Sequence, residues 1–315
     1  FLSSFEKLRE KLLSDDTILN MAHLGARAFD TIGGEVVSTT MFTLRNVFQS
    51  EHRGEYFRLI VGMSETEKQA ALKEAIANPN CGWFFRASAQ EFNKIPGAPI
   101  AYWLSQRIRE IFSENKLLKD IALAAQGLAT TENALFLRFW PEVSKSRINF
   151  KCASTSDASI SGSKWFPYNK GGSYRKWFGN QDLIVNWQFD GKEIKDAVIR
   201  KYPYLNGNYD YVVKNRDCYF KESVSWSKIT SGSFCLRYFP QGFIFDVAGC
   251  SIFTEKRYVL LAVMGAMNSP VMENTISAIS PTLNFEVGQI KSFPVVHYIL
   301  NGIGESKVTK LIDYS

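Results

Sequence analysis

The stretch KWFPYNKGGSYRKWFGN, Lys164 to Asn180, carries Lys164, Lys170, Arg175 and Lys176 and no acid. Trp165, Phe166, Tyr168, Tyr174, Trp177 and Phe178 interleave with those cations, and Gly171-Gly172 sits between them. A packed core does not require cations alternating with rings around a glycine turn. A surface that meets a polyanion does: cations neutralise phosphates, rings stack on bases, and glycine lets backbone approach closely. The competing reading is an ordinary surface loop, with its rings packed inward and its Lys and Arg stems lying over apolar surface.

Working outward, the 315 residues suggest about two domains. With 45% hydrophobic and 22% charged residues the composition is that of an ordinary globular protein with a core that needs no staples. The net charge of +6 permits a nucleic-acid partner without demanding one, so its distribution matters more than its sum. The five cysteines, at 81, 152, 218, 235 and 250, form no C-x-x-C pair, and the three histidines are scattered; this spacing argues against a zinc site. An odd cysteine count reads as free thiols in a reducing compartment, and the expected location is cytoplasmic. No signal peptide and no apolar run of about 18 residues is present, so no membrane partner is expected. The chain begins at Phe1 and runs directly into a helical pattern, which reads as a fragment of a longer protein.

Residues 2–24 have helical apolar spacing through Phe5, Leu8, Leu12, Leu13, Leu19 and Leu24, with a break near Ser14-Asp15-Asp16. Gly33-Gly34 predicts a turn into a β-branched strand over 35–45, which a second strand, Tyr56 to Val61, would join as a long hairpin. Ser64-Glu65-Thr66-Glu67 is a capping-box pattern opening a helix that ends at Asn78-Pro79, and a second helix is predicted from Ile100 to Glu114. After Gly127 aromatics, Gly, Ser and Asn rise. Short strands are predicted over Leu183–Phe189, Phe234–Phe239 and Phe243–Val247, with Pro240-Gln241-Gly242 as a hairpin turn and a helix over Tyr258–Met267. Domain boundaries are placed near 62 and 126.

Catalytic motifs are absent. Asn78-Pro79-Asn80-Cys81 suggests the Asn-Pro-Pro-aromatic tetrad of amino-group methyltransferases, but the second proline and the ring are missing and a helix precedes it, so a helix stop plus turn is the better reading. No Gly-rich nucleotide loop lies at a strand-to-helix junction. Three isolated histidines assemble no triad, and His23 on an apolar face reads as a satisfied core residue.

Four stretches resemble one family. Residues 164–191, Met21 to Thr40, Gly127 to Val143 and Ser280 to Val295 are similar to PglX-type adenine-specific DNA methyltransferases of BREX phage-defence systems. More broadly they resemble large N6-adenine methyltransferases, including restriction-modification enzymes, with a fused target-recognition domain. The resemblance implies an α+β chain: the end of a Rossmann-like catalytic domain in 1–62 (last helix and hairpin), a helical connector in 63–125, and a mixed α/β target-recognition domain in 126–315. Ile290, Phe293, Pro294 and Val295 resemble the segment that returns such a domain to its connecting helices. The parent would use S-adenosylmethionine, bound outside this fragment, and the fragment alone would be inactive. Its partners would be double-stranded DNA and other proteins of the defence system. Tyr168, Lys170, Gly171, Gly172, Tyr174, Arg175 and Lys176 are the expected DNA-binding residues, with no catalytic, cofactor or metal residue in the chain. Thr131-Glu132 departs from the Gly-Asp that relatives carry before the Asn matched by Asn133. The alternative is a non-enzymatic domain that binds proteins or glycans through exposed rings.

Overall fold

The computed structural model describes residues 5–32, 37–230, 232–280, 284–296 and 305–313. The chain divides into two compact units, Phe1–Glu114 and Asn115–Ser315, and mixes helices with several small sheets. This division falls at 114/115, away from the expected boundaries at 62 and 126.

In the first unit, helix α1 (Glu6–Asp15) stops where Asp16 turns extended, and β1 (Thr17–Gly25) follows directly. The helix expected to continue to 24 is therefore a strand. β1 pairs antiparallel with β2 (Thr39–Arg45) and parallel with β3 (Gly54–Arg58), giving the order β2-β1-β3-β4 with β4 (Phe84–Ala87) on the far side. The expected pairing of the second and third strands is thus corrected: β1 lies between them. The predicted turn at Gly33-Gly34 lies outside the described residues. Sheet pairing also crosses residue 62, because β3 and β4 bracket α2 (Glu65–Ala77). Ser64 caps α2 by accepting the Glu67 N–H at 3.2 Å, while the Glu67 carboxylate reaches the Met63 N–H at 2.7 Å. Two short helices, α3 (Ala89–Asn93) and α4 (Gln106–Glu114), complete the unit. Tyr56, Phe92 and Tyr102 form its aromatic core, with Tyr56 and Tyr102 stacked at 4.9 Å. His23 bonds the Tyr102 hydroxyl at 3.1 Å, as a satisfied core residue would.

The second unit contains two four-stranded sheets. The first has the order β11 (Arg237–Phe239), β10 (Ser223–Ser227), β13 (Gly249–Phe253), β6 (Leu123–Ala125). The second runs β12 (Ile244–Phe245), β8 (Trp165–Asn169), β9 (Leu183–Asn186), β7 (Leu137–Phe139). Pro240-Gln241-Gly242 therefore joins strands of different sheets; the hairpin reading of that turn is corrected. Short helices α5 (Asn133–Phe136) and α6 (Thr155–Ile160) precede β7 and β8. Helix α7 (Gln188–Lys201) follows β9 and has left-handed backbone within its first turn, at Phe189, Asp190 and Gly191.

Alternation in β10 separates two faces. Val224 and Trp226, opposite Ile252 and Cys250, share one core with α8 (Arg257–Met267). Ser225 and Ser227, opposite Ser251 and Gly249, form the other face. Helices α9 (Pro270–Ile279), α10 (Val287–Lys291) and α11 (Glu305–Asp313) follow α8. The segment expected to return to the connecting helices packs within the second unit: β14 (Pro294–Val295) pairs antiparallel with the short strand β5 (Lys116–Leu117), and Ile290 and Phe293 share a buried core with Leu118.

Candidate nucleic-acid interface

The window read as a loop begins as a strand. All five residues of β8 are buried, because Phe166 and Tyr168 enter the core that includes Phe245 while Trp165 packs with Ile148 and Ile184. Tyr168 is fully buried and donates to Asp246 Oδ2 at 2.6 Å. Burial first, and then the Asp246 carboxylate, push its hydroxyl pKa well above the usual phenol value. Its expected place among the DNA-binding residues is corrected to one inside the core.

Past β8 the chain docks on the serine face. The buried Asn169 amide donates to Ser225 Oγ at 2.7 Å and to Ser251 Oγ at 3.3 Å. Ser227 Oγ accepts the Gly172 N–H at 3.0 Å and donates to the Gly172 carbonyl at 2.7 Å. Gly171 has φ +76°, and a Cβ there would lie 2.7 Å from the Ala248 carbonyl oxygen, so both backbone sign and space call for glycine. Further on, Trp177 exchanges backbone bonds with β11, its N–H to Leu236 at 3.1 Å and its carbonyl from Tyr238 at 2.7 Å. Asn180 closes the turn by donating to the Ser173 carbonyl at 2.9 Å.

The loop is thus pinned at Gly172 and Trp177, and Tyr174 and Arg175 lie between the pins, both exposed. Among the described residues Arg175 finds no hydrogen-bond or ion-pair partner. Lys170 and Lys176 are engaged: Lys170 Nζ lies 3.1 Å from Asp246 Oδ2 and 3.2 Å from Asn133 Oδ1, and Lys176 Nζ donates to the Asn268 carbonyl at 3.0 Å, at the C-terminal cap of α8. Trp165 is a buried anchor and Trp177 packs partly against the α8 core.

Sequence reading missed Arg237. It is fully buried under the loop, donating to Ser227 Oγ at 2.8 Å and to the Ser173 carbonyl at 3.3 Å, and it pairs with no carboxylate among the described residues. Burial foremost, with Arg175 adding repulsion, lowers its pKa. The signal available was an arginine inside an aromatic strand run, Leu236 to Phe239. Among the described residues no group of three or more His, Cys, Asp or Glu could hold a metal, and no helix is long and apolar enough to cross a membrane.

The polar dock and exposed tip belong to a chain similar to adenine-specific methyltransferases over 94% of its length. PglX of Lacticaseibacillus casei (strain Zhang) is 40% identical over 296 residues, and BrxX of Escherichia coli O9:H4 (strain HS) is 39% identical over 303. The resemblance to the PglX type is thereby borne out, for a segment: the chain spans 24% and 23% of those relatives. No family model matches it. The type IIG restriction endonuclease BpuSI aligns with 98% of the chain and 40% of its own at 13% identity, with a TM-score of 0.36, a likeness too distant to establish a common fold.

Proposed function

We propose that this chain supplies DNA recognition to an S-adenosylmethionine-dependent N6-adenine methyltransferase of a BREX or restriction-modification system. The observation that carries the reading is the tip of the Gly-Gly loop. Tyr174 and Arg175 are held out by two pins on either side, within a window that has no acid. A loop pinned on both sides and presenting an exposed guanidinium and a ring suits a groove, where Arg reads guanine edges and phosphates fix register. The 40% identity to a named adenine-specific methyltransferase supports the same assignment.

The sequence contains neither a Gly-rich nucleotide loop nor an Asn-Pro-Pro-aromatic tetrad, so these residues contribute recognition and the methyl-transfer chemistry lies elsewhere in the parent. In this reading residues 115–315 act as target-recognition domain. The sheet of the first unit extends a catalytic domain. Its outermost strand β2 ends the strand order and exposes Met41 and Phe42, which suits a further strand or layer.

The test is equilibrium binding of the full chain to duplex DNA across a salt series. DNA recognition predicts affinity that falls steeply as salt rises, in proportion to the phosphates contacted. Binding to glycans or proteins that ignores salt, with no binding to any duplex at 50 mM salt, would overturn the reading.

A further inference from the structure

At the opposite end of β8 from the Gly-Gly loop, three cations line one cleft. Arg138 on β7, Arg147, and Lys164 at the entry to β8 surround a cavity of about 450 Å³ together with Ser144, Glu142, Val143 and Trp165. The Arg138 guanidinium and the Lys164 ammonium both sit over the Trp165 ring, at 5.8 and 5.9 Å from its centroid. Two like charges converging on one ring are held there by the fold. Arg138 Nη1 donates to the Ala134 and Leu137 carbonyls at 2.7 and 2.6 Å, which fixes the guanidinium plane; among the described residues Nη2 has no hydrogen bond.

Compensation inside the cleft is partial, two carboxylates against three cations. Glu142 lines the same cleft and keeps its charge while accepting the Phe139 N–H at 2.8 Å. Glu193 lies 3.9 Å from Lys164, at the limit of an ion pair. Arg147 is exposed and forms no side-chain bond among the described residues. Trp165 is 8% exposed and covered by the two cations, so the cleft offers a base no ring on which to stack. What it offers is positive charge and directed N–H groups, which is the chemistry of a phosphodiester site.

We infer that Arg138, Arg147 and Lys164 form a second, sequence-independent contact with the phosphate backbone of the same duplex that meets the Arg175 loop. The inference rests on the DNA reading above. Trp165 and Asn169, the two ends of β8, are four strand rises or roughly 13 Å apart. That is the scale of a groove about 12 Å wide with its flanking phosphates. The cleft would then hold the backbone while the loop tip addresses the groove.

The experiment compares the full chain with Arg147→Gln, Lys164→Gln and their double variant on a random-sequence duplex, from 50 to 300 mM salt. Each single change should flatten the plot of log affinity against log salt by about one unit. The loss should be several-fold at 50 mM salt and shrink as salt rises. Arg147→Lys, which keeps the charge, should keep the wild-type slope. Melting temperature should be unchanged for Arg147→Gln, since its side chain is exposed. Should the wild type bind duplex while both variants keep its slope and affinity, the phosphate site is overturned and the DNA reading stands. Should the wild type bind no duplex at all, both fall.

Discussion

Asp246 Oδ2 accepts the Tyr168 hydroxyl at 2.6 Å and the Lys170 ammonium at 3.1 Å, so the cation that opens the Gly-Gly loop is tied to a buried carboxylate. Asp246 is 2% exposed, lies in the link between β12 and β13, and receives the Ala248 N–H at 2.8 Å through its other oxygen. Lys170 thereby joins the loop to the seam between the two sheets. Its first role is to compensate a charge that the fold has already desolvated.

Asp246→Ala should cost about 3–5 kcal/mol, because it leaves the buried Tyr168 hydroxyl only a 3.4 Å contact with the Leu128 carbonyl and takes the carboxylate from Lys170. Lys170→Ala should cost about 1–3 kcal/mol by leaving a buried carboxylate under-compensated. Urea unfolding of both variants measures this. A Lys170→Ala stability within 0.5 kcal/mol of wild type would show that the pair does not stabilise the fold.

Arg175→Ala should behave oppositely. The side chain is exposed, finds no partner among the described residues and repels the buried Arg237, so stability should stay within about 0.5 kcal/mol of wild type. Binding of the parent enzyme to its target duplex should weaken by roughly 1–3 kcal/mol if the guanidinium reads a base edge. The pair of measurements separates folding from recognition within one loop: Lys170 moves the first, Arg175 the second.

Gly171→Ala tests how the loop is shaped. The substitution places Cβ 2.7 Å from the Ala248 carbonyl oxygen at a φ of +76°. Strain and overpacking together should cost about 2–4 kcal/mol. An unchanged urea midpoint would mean that the loop relaxes freely and is not pinned.

His23 gives the first unit a pH dependence. Burial foremost, with Arg58 and Lys68 nearby, lowers its pKa from 6.5 to about 4. Between those values the unfolded chain takes up a proton that the folded chain does not, so stability falls as pH drops from about 6.5 towards 4. The full shift would correspond to about 3 kcal/mol at 1.36 kcal/mol per unit, and partial exposure reduces this to about 1–2 kcal/mol. Urea midpoints of wild type and His23→Gln at pH 7 and pH 5 should differ in their pH dependence, with the variant flatter. Equal slopes would place the acid sensitivity elsewhere.

The sequence showed where elements begin and end better than how they pair. The capped start of α2 and the apolar run of α8 were legible because caps and periodicity are local. β1 was not: Ile18, Met21 and Leu24 repeat at a spacing that also fits a helix, and only β2 and β3 on its two sides make it a strand. β8 was hidden by its rings. Trp165, Phe166 and Tyr168 form the continuous apolar run of a strand buried on both faces, which composition alone reads as an exposed aromatic cluster. The loop itself was legible as a loop from Gly171-Gly172. Which of its cations are free was not, because Lys170 and Lys176 find Asp246 and Asn268 at separations of 76 and 92 residues.

The C-terminal return segment closes the second unit, and its loss should be felt throughout that unit. The Phe293 carbonyl accepts the Leu118 N–H at 2.8 Å, and the strand it starts pairs Pro294 with Leu117 and Val295 with Lys116. Phe293 and Ile290 are 1% and 0% exposed, within the core that also contains Leu118, Trp226 and Met264. That core lies between α8 and the apolar face of β10 and β13, whose opposite, serine face holds the Gly-Gly loop. A cavity at Phe293 therefore loosens the sheet on which the loop is docked. Phe293→Ala should cost about 3–5 kcal/mol from lost burial and the void left behind. Truncation after residue 286 removes Ile290, Phe293 and Val295 together and should abolish cooperative unfolding of 115–315. Phe293→Leu, which keeps most of the volume, should cost less than about 1.5 kcal/mol. Amide exchange should report the coupling: in Phe293→Ala the Gly172 and Trp177 amides should lose protection along with those of β10. A truncated chain with an unchanged melting curve, or loop amides that stay protected when β10 opens, would separate the loop from the core beneath it.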